Sequence, residues 1–286
     1  MKSLGLVNGN LVDLNENVVP MEDRGHQFGD GVYEFVKVYN GKCFALQPHL
    51  ERLYRSLRAI RIPATYTFEE FVEFHELLIE KSGITEGGVY LQITRGSAPR
   101  VHEFPKLVVP CLTMSIRPAG VVNTHLWEEG VKVITIPDER WLRCDIKSLN
   151  LLGNILGKQQ AKEAGCYEGI MVRDEHITEG TSSNFFVVKD DVLWTYPATH
   201  LILKGITRTI VLEKLAKELD ITVLEKPFTV NFMKGASEAF LSGTSTEIMP
   251  ITTIDGIRVG DGTVGAITRS IQAAYARLID EECGRR

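Results

Sequence analysis

An amine, an isolated acid and two hydroxyl-rich turns carry the chemistry legible in this chain. Lys147 lies in RWLRCDIKSLNLLG. The β-branched run GVKVITIPDERW before it predicts a strand. NLLGNILGKQQAKEAG after it predicts a helix, with Leu151, Leu152, Ile155 and Leu156 on one face and Gly165 as the stop. A primary amine at such a strand-to-helix crossing, flanked by apolar residues, is the kind of group that attacks a carbonyl. On this stretch alone, a solvated loop lysine is the commoner reading.

The other candidates are weaker one by one. Glu179 precedes Gly180 and the hydroxyls Thr181, Ser182 and Ser183, and a lone glutamate at a strand end is usually solvated. GTSSN misses the serine elbow G-x-S-x-G because Asn184 stands at its last position. LILKGITRTIVLEKLAKELDI places Gly205, Ile206 and Thr207 at a helix start, with Val211, Leu212, Leu215 and Leu219 facing a core. Amides and a hydroxyl at a helix start can bind an anion, although an ordinary cap is commoner. Ser242-Gly-Thr-Ser-Thr246 is a second hydroxyl-rich turn. Arg52, Arg55, Arg58 and Arg61 lie on the predicted helix PHLERLYRSLRAIRI, and spacing does not choose an anion binder among them. SAPRVHEFP, bounded by Pro99 and Pro105, sets Arg100 near His102, a pattern suited to clamping a carboxylate, against the commoner solvated pair.

The elements that must position these groups are mixed. LGLVNGNLVDL predicts a hairpin about Asn8-Gly9, and a second turns at Asn40-Gly41. Between them, GDGVYEFVKVYNG alternates, with Tyr33, Phe35, Lys37 and Tyr39 on one face and Glu34, Val36 and Val38 on the other. Gly29 and Gly31 do not make a dinucleotide fingerprint, since the third glycine and the following helix are missing. Arg117-Pro-Ala-Gly120 reads as a linker, which divides the chain into residues 1–118 and 121–286. The expected fold is α+β in two domains, with a small molecule between them.

Composition limits the function classes. The 286 residues are 44% hydrophobic with a net charge of −5, and acid and base are interleaved, so neither a nucleic-acid nor a membrane surface is expected. No long apolar run or leader-like segment is legible, and a cytoplasmic protein is the expectation. Five cysteines without CxxC spacing indicate neither a disulfide framework nor a metal site.

In order along the chain, EDRGHQFGDGVYEFVKVYNG, TRGSAPRVHEFP, RWLRCDIKSLNLLG, CYEGI, TEGTSSN, ILKGITR and TSTEI resemble the fold-type-IV pyridoxal-phosphate enzymes, and among them the D-amino-acid aminotransferases. The resemblance implies that Lys147 forms a Schiff base with pyridoxal 5′-phosphate and then moves the proton. It gives Glu179 the ring nitrogen, whose positive charge makes the ring an electron sink. Arg52, Ile206, Thr207 and Thr244 would hold the phosphate, with Ser182 and Leu203 also at the cofactor. Tyr33, Arg100 and His102 would take the substrate carboxylate, with Phe35 and Ser245 beside the substrate. It further implies a homodimer in which Arg100 and His102 reach across the interface. The implied activity is transamination between a D-amino acid, D-alanine or D-glutamate, and a 2-oxo acid such as 2-oxoglutarate or pyruvate. The alternatives are a branched-chain L-aminotransferase or an aminodeoxychorismate lyase of the same fold, or a cofactor-binding protein without turnover. Two departures stand out: Phe35 replaces a smaller aliphatic residue, and Gly243 replaces a serine.

Overall fold

A computed structural model describes residues 3–120 and 125–284. The chain divides into two units: residues 3–120 with Ile146–Asn150 and 279–284, and residues 125–145 with Leu151–Leu278. The boundary expected at 118–121 runs into residues 121–124, which lie outside the described residues. One difference bears on the chemistry: the segment carrying Lys147, expected with the second half, belongs to the first unit.

The first unit is built on β1 (Leu4–Val7), β2 (Asn10–Val12), α1 (Arg24–Phe28), β3 (Gly31–Tyr39), β4 (Lys42–Cys43), α2 (Leu46–Ala59), α3 (Phe68–Ser82), β5 (Gly87–Thr94) and β6 (Cys111–Pro118). The turns follow local chemistry. Asn8-Gly9 and Asn40-Gly41 both have positive φ throughout, as the hairpins between β1 and β2 and between β3 and β4 require. Among the described residues the sheet runs β2-β1-β6-β5-β3-β4. In β3, Val32, Glu34, Val36 and Val38 are buried, whereas Tyr33, Phe35 and Lys37 are half-buried on the opposite face. Helical period in α2 buries His49, Leu50, Arg52, Leu53, Ser56 and Leu57, which selects Arg52 from the four arginines. Leu50, Leu53 and Leu57 join Val32, Val38, Val89, Leu91 and Phe71 in the core. Thr67 and Glu70 form a capping box that starts α3, and Gly83 ends it in the left-handed conformation.

The second unit contains α4 (His125–Glu129), β7 (Val131–Pro137), α5 (Leu152–Glu163), β8 (Glu168–Arg173), β9 (His176–Gly180), β10 (Asn184–Lys189), β11 (Val192–Thr195) and α6 (Ile206–Ile210). A π-helical turn, Val211–Leu215, carries α6 on into α7 (Ala216–Glu218). Then follow β12 (Val223–Glu225), α8 (Val230–Met233), β13 (Glu238–Gly243), β14 (Glu247–Ile254), β15 (Ile257–Arg258) and α9 (Ala266–Cys283). The sheet order is β12-β11-β10-β13-β14-β7-β8-β9, with β15 on β14. β7 pairs parallel to both β8 and β14 inside an otherwise largely antiparallel sheet. Phe185, Val187, Leu241, Ile251 and Ile170 build its core. The apolar residues read on α5 do not face that core: Leu152, Ile155 and Leu156 are exposed, and Gly157 and Ala161 are the buried positions.

Lys147 is positioned by strand-like pairing. Tyr33 N–H donates to the Lys147 carbonyl at 3.0 Å, and Leu149 N–H donates to the Gly31 carbonyl at 3.0 Å. A side chain at residue 31 would put its Cβ 2.7 Å from the Ile93 oxygen and 2.8 Å from Leu149 Cδ1. Gly31→Ala is therefore expected to force the lysine segment away from β3 and to cost about 1–3 kcal/mol of stability. A lower denaturant midpoint at unchanged slope is the check.

Candidate active site

In the first unit, Lys147 is half-buried, and its ammonium lies 4.2 Å from the centre of the Tyr33 ring. Tyr33 in turn stacks on Tyr90, with centroids 5.7 Å apart. The alternation of β3 brings Phe35 to the same face two residues on, and its ring lies over Gly88, where a Cβ would meet Phe35 Cζ at 2.2 Å. The opposite face of β3 holds a charge. Glu34 is fully buried and takes Arg52 Nε at 2.7 Å and Nη2 at 2.9 Å, while His49 Nδ1 lies 2.7 Å away. Against the upward push of burial, the Arg52 guanidinium and His49 hold Glu34 well below the usual carboxylate range. Arg52 is thus anchored by a buried carboxylate rather than solvated.

Arg100 and His102 form a second grouping. Both are exposed, and both rest on one ring: the Arg100 guanidinium is 5.0 Å from the Phe28 centroid, and the His102 ring meets it edge-on at 5.6 Å.

In the second unit, Glu179 is 4% exposed and is met by three donors. Arg140 Nη1 donates to Oε1, Asn184 Nδ2 donates to Oε2 at 2.9 Å, and Leu203 N–H donates to both oxygens at 3.2 and 3.1 Å. Asp138 and Arg173 extend the charges: Arg140 is paired with Asp138 at 2.9 Å, and Arg173 reaches the same carboxylate at 2.9 Å. Burial pushes Glu179 up to about 7, against the pull of Arg140 and of the Leu203 amide. Asn184 also donates to the Leu203 carbonyl, and a Cβ at Gly205 would lie 2.1 Å from its Oδ1. Glycine at 205 is what lets Asn184 tie the carboxylate to the start of α6. There Ile206 and Thr207 supply first-turn amides, which have no partner within a helix. The Thr207 hydroxyl lies 3.3 Å from that of Tyr275.

Ser182 is exposed, and its amide and hydroxyl both donate to the fully buried Glu168, at 2.7 and 3.2 Å. Thr244 and Ser245 occupy the turn between β13 and β14. Beside it, Ser242 Oγ is buried without a hydrogen-bond partner among the described residues. A Cβ at Gly243 would meet nothing closer than 3.6 Å, so the space there is open. Taken unit by unit, the first offers an amine on an aromatic face, suited to an aldehyde, and the second offers a buried carboxylate, helix-start amides and an unpaired buried hydroxyl, suited to a basic nitrogen and to a phosphate.

Sequence reasoning missed Arg140, Asn184, Glu34 and Glu168. Arg140 had no signal beyond lying seven residues before Lys147. Asn184 was legible only as the residue that spoils a serine elbow. Glu34 carried a real signal, a lone acid among valines on the core-facing side of a strand, which demands a buried cation.

The family model for class IV amino-transferases matches residues 31–254. The D-alanine aminotransferase of Staphylococcus epidermidis is 44% identical over 273 residues, covering 96% of each chain. That of Bacillus licheniformis is 43% identical over 277 residues, covering 97% of each. Among solved structures, the branched-chain amino acid aminotransferase of Escherichia coli superposes with a TM-score of 0.92 at 29% identity, over 97% of this chain and 95% of that one. The branched-chain aminotransferase of the archaeon Thermoproteus uzoniensis, with norvaline, gives 0.86 at 30% identity, over 98% and 95%.

The environment of Glu179 makes stability depend on pH. Its folded value of about 7 lies above the ordinary 4.5, so the folded chain binds this proton more tightly than the unfolded chain does. Its contribution is full below pH ~4.5 and is lost as pH rises through ~7, by up to about 3 kcal/mol. In ligand-free protein, denaturant midpoints across that window are expected to show this loss in wild type and to lack it in Glu179→Gln.

Proposed function

Because the chain belongs to the class IV aminotransferases, we propose that it moves an amino group between a D-amino acid, D-alanine or D-glutamate, and a 2-oxo acid such as 2-oxoglutarate or pyruvate, using pyridoxal 5′-phosphate. Relatives named D-alanine aminotransferase, at 43–44% identity over 96–97% of the chain, support the substrate class. The observation that carries the mechanism is Lys147 against Tyr33, an amine and a phenol held together by backbone pairing of their own segments.

The cofactor, when bound, supplies a carbonyl for Schiff-base chemistry and a ring that accepts electron density. Lys147 Nζ would hold the carbonyl carbon until the substrate amine displaces it, and the freed amine would then take the proton of the substrate carbon and return it. Glu179, fixed by Arg140, Asn184 and Leu203, would take the ring nitrogen and keep it protonated, and that cation would in turn favour the carboxylate. Leu203 would support the ring. Arg52, the Ile206 and Thr207 amides and Thr244 hold the phosphate, with Ser182 beside it. The α-carboxylate goes to Tyr33, Arg100 and His102, and Phe35 and Ser245 bound the side-chain space, which Phe35 narrows.

The reading includes a homodimer in which Arg100 and His102 serve the partner's site. Its support is the exposure of both residues and the apolar surface left uncovered at Leu152, Ile155 and Leu156 and at Phe104, Leu107 and Val109. It also includes a cytoplasmic location. Cys43, Cys111, Cys144, Cys166 and Cys283 are all free thiols, and no helix of the described residues is long and apolar enough to cross a membrane.

A panel of D- and L-amino acids against 2-oxoglutarate tests the proposal; turnover restricted to L-branched-chain substrates would overturn it. Lys147→Ala is expected to abolish turnover. Glu179→Gln is expected to retain the cofactor and slow the amine half-reaction by about 10²–10⁴. Stopped-flow absorbance of the bound cofactor reads both.

A further inference from the structure

The motif EDRGHQF has no part in the chemistry above, yet it holds a buried and fully engaged charge. Arg24, on α1, is 3% exposed. Its Nε donates to Asp30 Oδ2 at 2.8 Å. The remaining donors go to three successive backbone carbonyls: Nη1 to Val101 O at 2.6 Å and Glu103 O at 3.4 Å, and Nη2 to His102 O at 3.3 Å. Its guanidinium lies 4.8 Å from the Phe28 centroid, on the ring that Arg100 and His102 also contact.

We propose that Arg24 is a positioning residue for substrate-carboxylate recognition: anchored on Asp30, it grips the backbone from Val101 to Glu103 and so sets where Arg100 and His102 stand. This rests on the reading that those two residues bind the α-carboxylate.

Three features support the assignment. First, the cost of burying a guanidinium is not repaid by core packing here, because Val101, His102, Glu103 and Phe104 are themselves exposed. What the buried charge stabilises is the course of an otherwise solvated loop. Second, the neighbouring charge divides its contacts differently. Arg95 shares Asp30 and lies 3.7 Å from the Phe104 centroid, so it touches the loop through one side chain, but its Nη2 and Nη1 donate to the Ile60 and Arg61 carbonyls, at 2.7 and 3.0 Å, which ties the strand to the end of α2 and leaves the loop's backbone carbonyls to Arg24. Third, the base of the loop is pinned independently. Arg24 N–H donates to the Gly96 carbonyl, Ala98 N–H donates to the Glu22 carbonyl, and Thr94 Oγ1 donates to Asp23. With the base fixed by other groups, the Arg24 side chain supplies the hydrogen bonds to the backbone of the tip. A planar fork suits adjacent carbonyls in a way that a point charge does not.

The test is a double-mutant cycle on the dimeric holoenzyme with D-alanine and 2-oxoglutarate. Arg24→Met is expected to raise the KM for D-alanine about tenfold, the loss of one charge-assisted contact, with a far smaller change in kcat and in cofactor absorbance. Arg24→Lys should recover part of that rise, and it reads the same quantities if Arg24→Met does not fold. In the Arg100→Ala background, adding Arg24→Met should raise KM by no more than about twofold, because the charged member of the positioned pair is gone and only the weaker His102 contact is left to misplace. Full tenfold effects that multiply in the double variant would overturn the inference. So would a loss of thermal stability and kcat at unchanged KM, the signature of a merely structural arginine. If Arg100→Ala alone leaves KM unmoved, the carboxylate reading itself fails, and the single-variant arm separates that result from failure of the positioning role.

Discussion

Two backbone hydrogen bonds organise the chemistry of the first unit: Tyr33 N–H to the Lys147 carbonyl, and Leu149 N–H to the Gly31 carbonyl. They make a stretch between β7 and α5 behave as an added strand beside β3, with Val32 and Ser148 as the bridging pair. A lysine side chain has four rotatable bonds and would otherwise sample a wide volume, so fixing its backbone narrows where the amine can stand. The pairing also fixes its neighbour. Tyr33 lies on the half-buried face of β3 by strict alternation, which leaves Glu34 no choice but the core. Glycine at 31 and the glycine beneath Phe35 at 88 are the steric terms on which this arrangement depends.

Buried ionic clusters then hold the separate groups. Glu34 with Arg52, Asp30 with Arg24 and Arg95, and Glu179 with Arg140 and Asp138 repeat one device, a desolvated acid against guanidinium. Such pairs add little net stability compared with apolar packing, because desolvation consumes most of the Coulombic gain. Their value lies in direction: an arginine fork bonded on one side presents its remaining donors at fixed angles. The clusters differ in electrical state. Against burial, Arg95 and Arg24 hold Asp30 below the usual carboxylate range, whereas burial prevails at Glu179. The difference follows from the number of cations: two guanidiniums meet half-buried Asp30, whereas one meets the buried Glu179 and is shared there with Asp138.

What was legible in the sequence was what short range decides. Asn-Gly turns, the alternation of β3, the capping box at Thr67 and the amphipathic face of α2 all follow from neighbours within a turn or a strand. The mixed α+β class followed from these. Arg52 was legible as one of four arginines, and only the burial of α2 separated it from Arg55, Arg58 and Arg61. The pairing of the Lys147 segment with β3 was not legible because its partner strand lies more than a hundred residues earlier, a separation that no local period encodes. Arg140 and Asn184 were missed for the same reason: each matters through Glu179, which β9 brings to them. The α5 face failed differently. Leu152, Ile155 and Leu156 satisfy an amphipathic pattern, but a pattern marks an apolar face without saying whether the chain or another molecule covers it.

The two kinds of likeness point to different substrates, and the residues explain how both can hold. Superposition finds branched-chain enzymes at TM-scores of 0.86 and 0.92, and sequence finds D-alanine enzymes at 43–44% identity. A shared fold fixes where a lysine and a glutamate can stand, but not which hand of amino acid is accepted. Handedness depends on which side of the reacting carbon its carboxylate is drawn to, and that is a property of a few peripheral donors. Under the proposed reading those donors are a half-buried phenol on β3 and a loop that its own exposed residues do little to stabilise. A specificity element of that kind can change without disturbing either core. For the same reason it needs a dedicated buried support, and the Arg24–Asp30 pair on α1 and the turn before β3 has the geometry to provide one.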